Sequence, residues 1–149
     1  MCSSDLLVLF RQRLDRRAPK DKDALFLNVT PHYQSLLIFR GEDLIFYRCK
    51  PHAQDSETED PIAGLRRELY TSLAFYQEKL LGRGIGWAFL RVDGLALDAV
   101  REAVRGEAGC DAESLDLTEV LPMGGGLDLD AEMASRVAPP AGAVAGRRP

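Results

Sequence analysis

Three kinds of chemistry are open to a chain with 23 acidic residues, two histidines, three cysteines and 13 glycines. They are metal-assisted hydrolysis, nucleophilic catalysis and phosphate binding. Each needs its residues at particular spacings. Two-metal hydrolysis needs clustered carboxylates to hold divalent cations. The first strongly apolar segment carries a neutral amide, Asn28, and Asp43 falls in a turn, so neither supplies such a cluster. Phosphate binding needs a tight glycine turn whose backbone N–H groups approach the anion. The turn from Asn28 to Ser35 holds no glycine, and Pro31 has no N–H to donate. Gly124-Gly125-Gly126 is the densest glycine run, but no Lys-Ser/Thr follows it and no strand–turn–helix surrounds it. It reads as a flexible loop. His32 and His52 lie too far apart for a local ligand pair, and there is no Cys-x-x-Cys. His32 reads as a turn residue, His52 as a loop residue and Cys49 as a small apolar filler. Trp87 reads as core or as a partner contact. The expectation is a protein without catalytic, metal or cofactor residues, hence not an enzyme.

The elements that would position any site follow from composition and pattern. At 149 residues the chain predicts one domain. A chain of this size buries about 68–70% of its unfolded surface, so it needs no disulfide or metal to fold. The hydrophobic fraction of 46% excludes wholesale disorder. The net charge of −4 argues against a dedicated nucleic-acid binder. No stretch approaches 18 uninterrupted apolar residues, and the N-terminus lacks a basic start followed by an apolar run. Cys2, Cys49 and Cys110 are an odd, scattered set, which fits a reducing compartment. The expected location is therefore cytoplasmic.

Residues 1–23 read as an N-terminal helix and connector. Leu6, Leu7, Leu9, Phe10 and Leu14 share one helical face, and Ala18-Pro19 ends it. The basic run through Lys20 and Lys22 reads as a solvated face diluted by Asp15, Asp21 and Asp23. Met1 to Leu6 resembles a translated sequencing-adaptor end, which implies a gene that began upstream and a C-terminal fragment. The plain alternative is a polar start with an N-cap at Ser4 or Asp5.

Three strands are predicted next, over Ala24–Val29, Tyr33–Arg40 and Asp43–Cys49, rich in aromatic and branched residues. Gly41-Glu42-Asp43 pairs the last two as a hairpin. Their apolar runs are continuous, which requires cover on both faces of the sheet. Residues 50–59 form an acidic loop. Asp60-Pro61 starts a helix to about Leu81, with Ile62, Leu65, Leu69, Leu73, Tyr76 and Leu80 on one stripe. Gly82-Arg83-Gly84 supplies its left-handed cap. A fourth strand covers Ile85–Val92, a second helix Leu95–Gly106 and a short fifth strand Ser114–Leu117. Helices are expected over about Asp128–Val137 and Pro139–Arg147.

The class is α/β. A mixed sheet of three antiparallel strands, then parallel strands, with helices on both faces, resembles the ribonuclease H-like unit of nucleases and of each half of actin-like ATPases. The segments Leu25–Val29, Ser35–Gly41 and Leu44–Arg48, the helix Leu65–Tyr76 and the tail Val137–Arg147 are similar, in order and spacing, to the C-terminal half of the type IV pilus assembly PilM family. The likeness covers most of residues 24–147, and residues 148–149 are tail.

That resemblance implies an actin-like fold that binds ATP between two lobes. It also implies docking onto the cytoplasmic tail of a membrane-anchored pilus assembly protein of the PilN kind, and onto the pilus assembly ATPase. The nucleotide motifs are degraded. The family's Asp and Gly on the phosphate turn correspond to Asn28 and Thr30, and its Thr-Ser corresponds to Gln34-Ser35. Its Gly-Gly after the fourth strand corresponds to the region Arg91 to Gly94, and Lys50-Pro51-His52 replaces the glycines expected after Arg48. The first expectation is a nucleotide-free scaffold, cytoplasmic and peripheral to the inner membrane through its partners, with no nucleic acid and no direct membrane insertion. The alternatives are the C-terminal lobe of a nucleotide-binding actin-like ATPase, and an unrelated ribonuclease H-like interaction domain.

Overall fold

The computed structural model describes residues 20–52 and 60–114. The expected N-terminal helix, the Gly124-Gly125-Gly126 loop and both C-terminal helices lie outside the described residues. Within them run β1 (Asp23–Val29), β2 (Tyr33–Arg40), β3 (Asp43–Pro51), α1 (Pro61–Lys79), β4 (Ile85–Val92), α2 (Leu97–Ala108) and β5 (Ala112–Ser114). The sheet order is β3-β2-β1-β4-β5. β1, β2 and β3 pair antiparallel, and β4 lies parallel to both β1 and β5.

The uninterrupted apolar runs have the predicted consequence. Leu25, Leu27 and Val29 of β1 join Leu36, Ile38, Leu90 and Val92 in one core, beneath Leu65, Leu69 and Tyr76 of α1 and Val100 and Val104 of α2. Strand alternation sends Ala24, Phe26, Leu37, Phe39 and Phe89 to the opposite face, and these too are almost fully buried. Both sheet faces are thus withdrawn from water.

Helix α1 begins where Asp60-Pro61 predicts. The Asp60 carboxylate accepts the Ile62 N–H at 3.0 Å, and Pro61 occupies the first turn. Its end differs from expectation. The helix stops at Lys79, and within and beside the expected Gly82-Arg83-Gly84 stretch the left-handed residues are Leu81, at φ 52°, and Gly84, at φ 84°, while Gly82 is not one of them. Gly82 serves a close approach instead: a Cβ there would stand 2.6 Å from Cζ of the Tyr76 ring. Gly82→Ala is expected to push that ring aside, with a loss of about 1–3 kcal/mol by overpacking, read as a lowered urea midpoint.

Two further boundaries move. Helix α2 runs two residues past the predicted end at Gly106, and Gly109, at φ 68°, supplies its left-handed cap. The fifth strand begins at Ala112, two residues before the expected Ser114, and the rest of the expected strand, residues 115–117, lies outside the described residues. Its position follows from parallel pairing of Ala112, Glu113 and Ser114 with Ala88, Phe89 and Leu90. That pairing depends on the neighbouring strand and leaves no apolar pattern of its own.

Candidate functional site

Because β1 and β4 run parallel, the turns that follow them emerge at the same end of the sheet. In open α/β sheets, that carboxyl end is where ligands bind. The backbone ties the two turns together, with the Asp93 N–H donating to the Val29 carbonyl at 2.9 Å. The end of β3 and the first turn of α1 close the other sides. A cleft of about 430 Å³ results, lined by residues that include Thr30, Pro31, Gln34, Lys50, His52 and Asp93.

The β1–β2 turn is held by Thr30. Its hydroxyl accepts the Tyr33 N–H at 3.0 Å and the His32 N–H at 3.3 Å, and donates to the Tyr33 carbonyl at 2.9 Å. The Thr30 N–H donates to the same carbonyl. A side-chain oxygen that bridges local amides in this way replaces the backbone contacts a glycine turn would leave open. Every N–H from Thr30 to Tyr33 is therefore bonded within the turn, and Pro31 has none. A phosphate arriving here meets no free backbone N–H from these four residues.

Behind the turn, register aligns Ser35, Asn28 and Arg91 across β2, β1 and β4. The Arg91 guanidinium donates to the Asn28 side-chain oxygen at 3.0 Å, and the Asn28 amide donates to the Ser35 hydroxyl at 3.4 Å. All three residues are buried. Burial pushes the Arg91 pKa below its ordinary value, while Asp93 and Tyr33 oppose the shift. The side chain remains a cation. A guanidinium therefore sits beside the neutral amide of Asn28 on β1. No group of three or more His, Cys, Asp or Glu able to hold a metal occurs among the described residues.

The other candidate positions separate. The His52 N–H donates to the His32 carbonyl at 2.8 Å, so the structure joins the backbones of two histidines that are far apart in sequence. His52 lines the cleft, and His32 is an exposed turn residue. Cys49 is exposed on β3, which corrects its reading as a buried filler. Cys110 is half-buried, and burial pushes its thiol up to about 11, away from nucleophilic use. Trp87 is half-buried and stacks on Phe89 at 5.6 Å.

The most connected polar group escaped the sequence reading. Asp23, read as a surface diluent of the basic run, opens β1 fully buried. Its carboxylate accepts Arg40 Nε at 3.1 Å and Arg40 Nη2 at 2.9 Å, together with the Tyr76 hydroxyl and the Arg83 N–H. Arg40 also donates to the Leu81 carbonyl at 3.2 Å. This clasp joins β1, β2, α1 and the α1–β4 connection at the end of the sheet opposite the cleft. An aspartate just ahead of an apolar run, and a tyrosine on an apolar helical stripe, were its available signals.

The arrangement is a mixed α/β sheet whose topology matches that of the actin-like and ribonuclease H-like folds. The chain matches the structure of a PilM–PilN type IV pilus biogenesis complex over its whole length, at 17% identity and a TM-score of 0.65. It also matches a Bacteroides thetaiotaomicron protein of actin-like ATPase fold and unknown function over 74% of its length, at 8% identity and a TM-score of 0.50. It spans 53% of the first matched chain and 38% of the second. No family model and no curated protein matches the sequence. No helix among the described residues is long and apolar enough to cross a membrane.

Proposed function

We propose that this chain is a non-catalytic docking module of actin-like fold, serving type IV pilus assembly. Its partners would be the cytoplasmic tail of a membrane-anchored assembly protein of the PilN kind and the assembly ATPase. It would act in the cytoplasm, peripheral to the inner membrane through those partners. The observation that carries the absence of nucleotide chemistry is the Thr30 turn, whose N–H groups are all bonded internally. The likeness to a PilM–PilN complex supports the choice of partners.

Titration with fluorescent ATP and magnesium is expected to show no saturable binding. Retention of the chain on an immobilised PilN-type tail is expected in the same buffer. Tight magnesium-dependent ATP binding would overturn the proposal in favour of a second reading, the C-terminal lobe of a nucleotide-binding actin-like ATPase. That second reading has its own support in the fold and in a cleft at the carboxyl ends of β1 and β4. In it, phosphate donors would have to come from outside the β1–β2 turn.

A further inference from the structure

The two edges of the sheet are unlike. β5 is three residues long, whereas β3, at the other edge, runs for nine. Among the described residues no strand lies beyond β3, which makes it an open edge. Folded chains guard a long edge with charges, bulges or proline, because an open edge pairs with other strands. β3 carries a bulge at Ile45 and a proline, Pro51, at its end, but the register from Phe46 to Lys50 is regular. Its flanks are apolar. Leu44 is 44% exposed on the strand itself. Phe46 packs on Phe75 of α1, with ring centroids 5.9 Å apart, and Phe75 is 48% exposed.

Charge selects the occupant. The edge opens on Glu42 and Asp43, both exposed, and closes on Arg48 and Lys50. Arg48 and Lys50 share one carboxylate, Glu68, so the basic end keeps a positive charge in excess. A strand with opposite charges at its two ends is complementary to itself when turned end for end. Antiparallel pairing of β3 with β3 of a second copy, about a two-fold axis near Phe46, brings Glu42 of each copy to Lys50 of the other. Parallel pairing would set Lys50 against Lys50 and Glu42 against Glu42. The same axis places the Phe46–Phe75 pairs of the two copies side by side, so the apolar flank is covered in the same step.

We propose that this chain forms a symmetric dimer through β3, so that two five-stranded sheets join into one. The occupant of each open edge is a second copy of the chain. The contact is isologous and closes on itself, so it ends at two copies. The inference stands whether the chain binds a pilus partner or a nucleotide.

The test is sedimentation equilibrium of the whole chain from micromolar to millimolar concentration. The expected result is an average mass that rises from the 16.5 kDa of one chain toward twice that value. Glu42→Lys sets like charges together at both ends of the contact and is expected to raise the dimer Kd at least about tenfold. Lys50→Glu is expected to do the same with acids. An equimolar mixture of these two variants is expected to pair with wild-type affinity, because every contact between unlike copies then joins opposite charges. A substitution that merely loosened the fold would show no such rescue. Leu44→Lys leaves the Glu68 ion pairs in place and is expected to weaken the dimer by a similar factor, which keeps the test decisive if Lys50→Glu does not fold. A mass that stays at one chain up to millimolar concentration overturns the proposal. So does a dimer whose Kd is unmoved by both Glu42→Lys and Leu44→Lys, or a mixture that pairs no better than either variant alone.

Discussion

Replacing Leu69 with alanine is expected to cost about 2–5 kcal/mol, the range found when a buried leucine is truncated and its surroundings relax only in part. Leu69 is 1% exposed at the middle of α1. It belongs to the core shared by α1, α2 and the helix-facing side of β1 and β2. Those strands are held on both sides by neighbours, so they cannot close over the lost volume without breaking ladder hydrogen bonds. The upper half of the range is expected for that reason. Tyr70, the next residue, is 67% exposed, and Tyr70→Ala is expected to stay within about 0.5 kcal/mol of wild type. Urea unfolding of both variants checks the contrast. A small effect at Leu69 would show that α1 does not rest on the sheet as described.

Removing the Asp23 carboxylate, as Asp23→Ala, is expected to cost about 2–4 kcal/mol. The loss has two parts. The Tyr76 hydroxyl is buried, and losing its acceptor leaves a polar group unsatisfied, at about 1–3 kcal/mol. Arg40 loses a bidentate partner, but its side chain is 28% exposed and can turn toward water, which moderates the loss. Tyr76→Phe leaves the Asp23–Arg40 pair intact and is expected to cost less.

The same clasp sets a pH profile. Burial alone would raise the Asp23 pKa. Hydrogen bonds from Arg40 and Tyr76, the Arg83 N–H and the Arg40 charge outweigh it and hold the carboxyl below its usual value. The stability this provides is complete above about pH 4, where the unfolded carboxyl is ionised, and is lost as pH falls through the lower folded value. Tyr76 behaves in the opposite sense. Burial first, then the bond to Asp23, pushes its phenol up to about 12. The unfolded phenol ionises near about pH 10, so stability declines from there to about 12 as the unfolded state sheds its proton first. Asp23→Ala is expected to flatten the acid limb and weaken the alkaline one. An unchanged acid limb, in chemical denaturation repeated across pH, would remove Asp23 from this role.

Most of the frame was legible in the sequence, because it depends on local causes. Leu25, Leu27, Phe26 and Ile38 lie in continuous apolar runs, and only a sheet withdrawn from water on both faces accepts them. The start of α1 was written in Asp60-Pro61, since a cap needs one side-chain oxygen and one residue without an N–H. That Asn28, Thr30, Gln34 and Ser35 would not grip a phosphate is an expectation drawn from their types alone. The start of β5 and the ends of α1 and α2 were not legible, because neighbouring strands and ring contacts decide them.

Tertiary structure alone decided where the polar groups went. Asn28 lies between Ser35 and Arg91, and Asp23 holds an arginine 17 residues away and a tyrosine 53 residues away. Apolar burial is non-directional and follows from pattern. A hydrogen bond exists only when two atoms arrive at the right distance and angle. For Asp23, Arg40 and Tyr76 that meeting required β1, β2 and α1 to be assembled first, so a residue that looks solvated in the chain became the least exposed charge among the described residues.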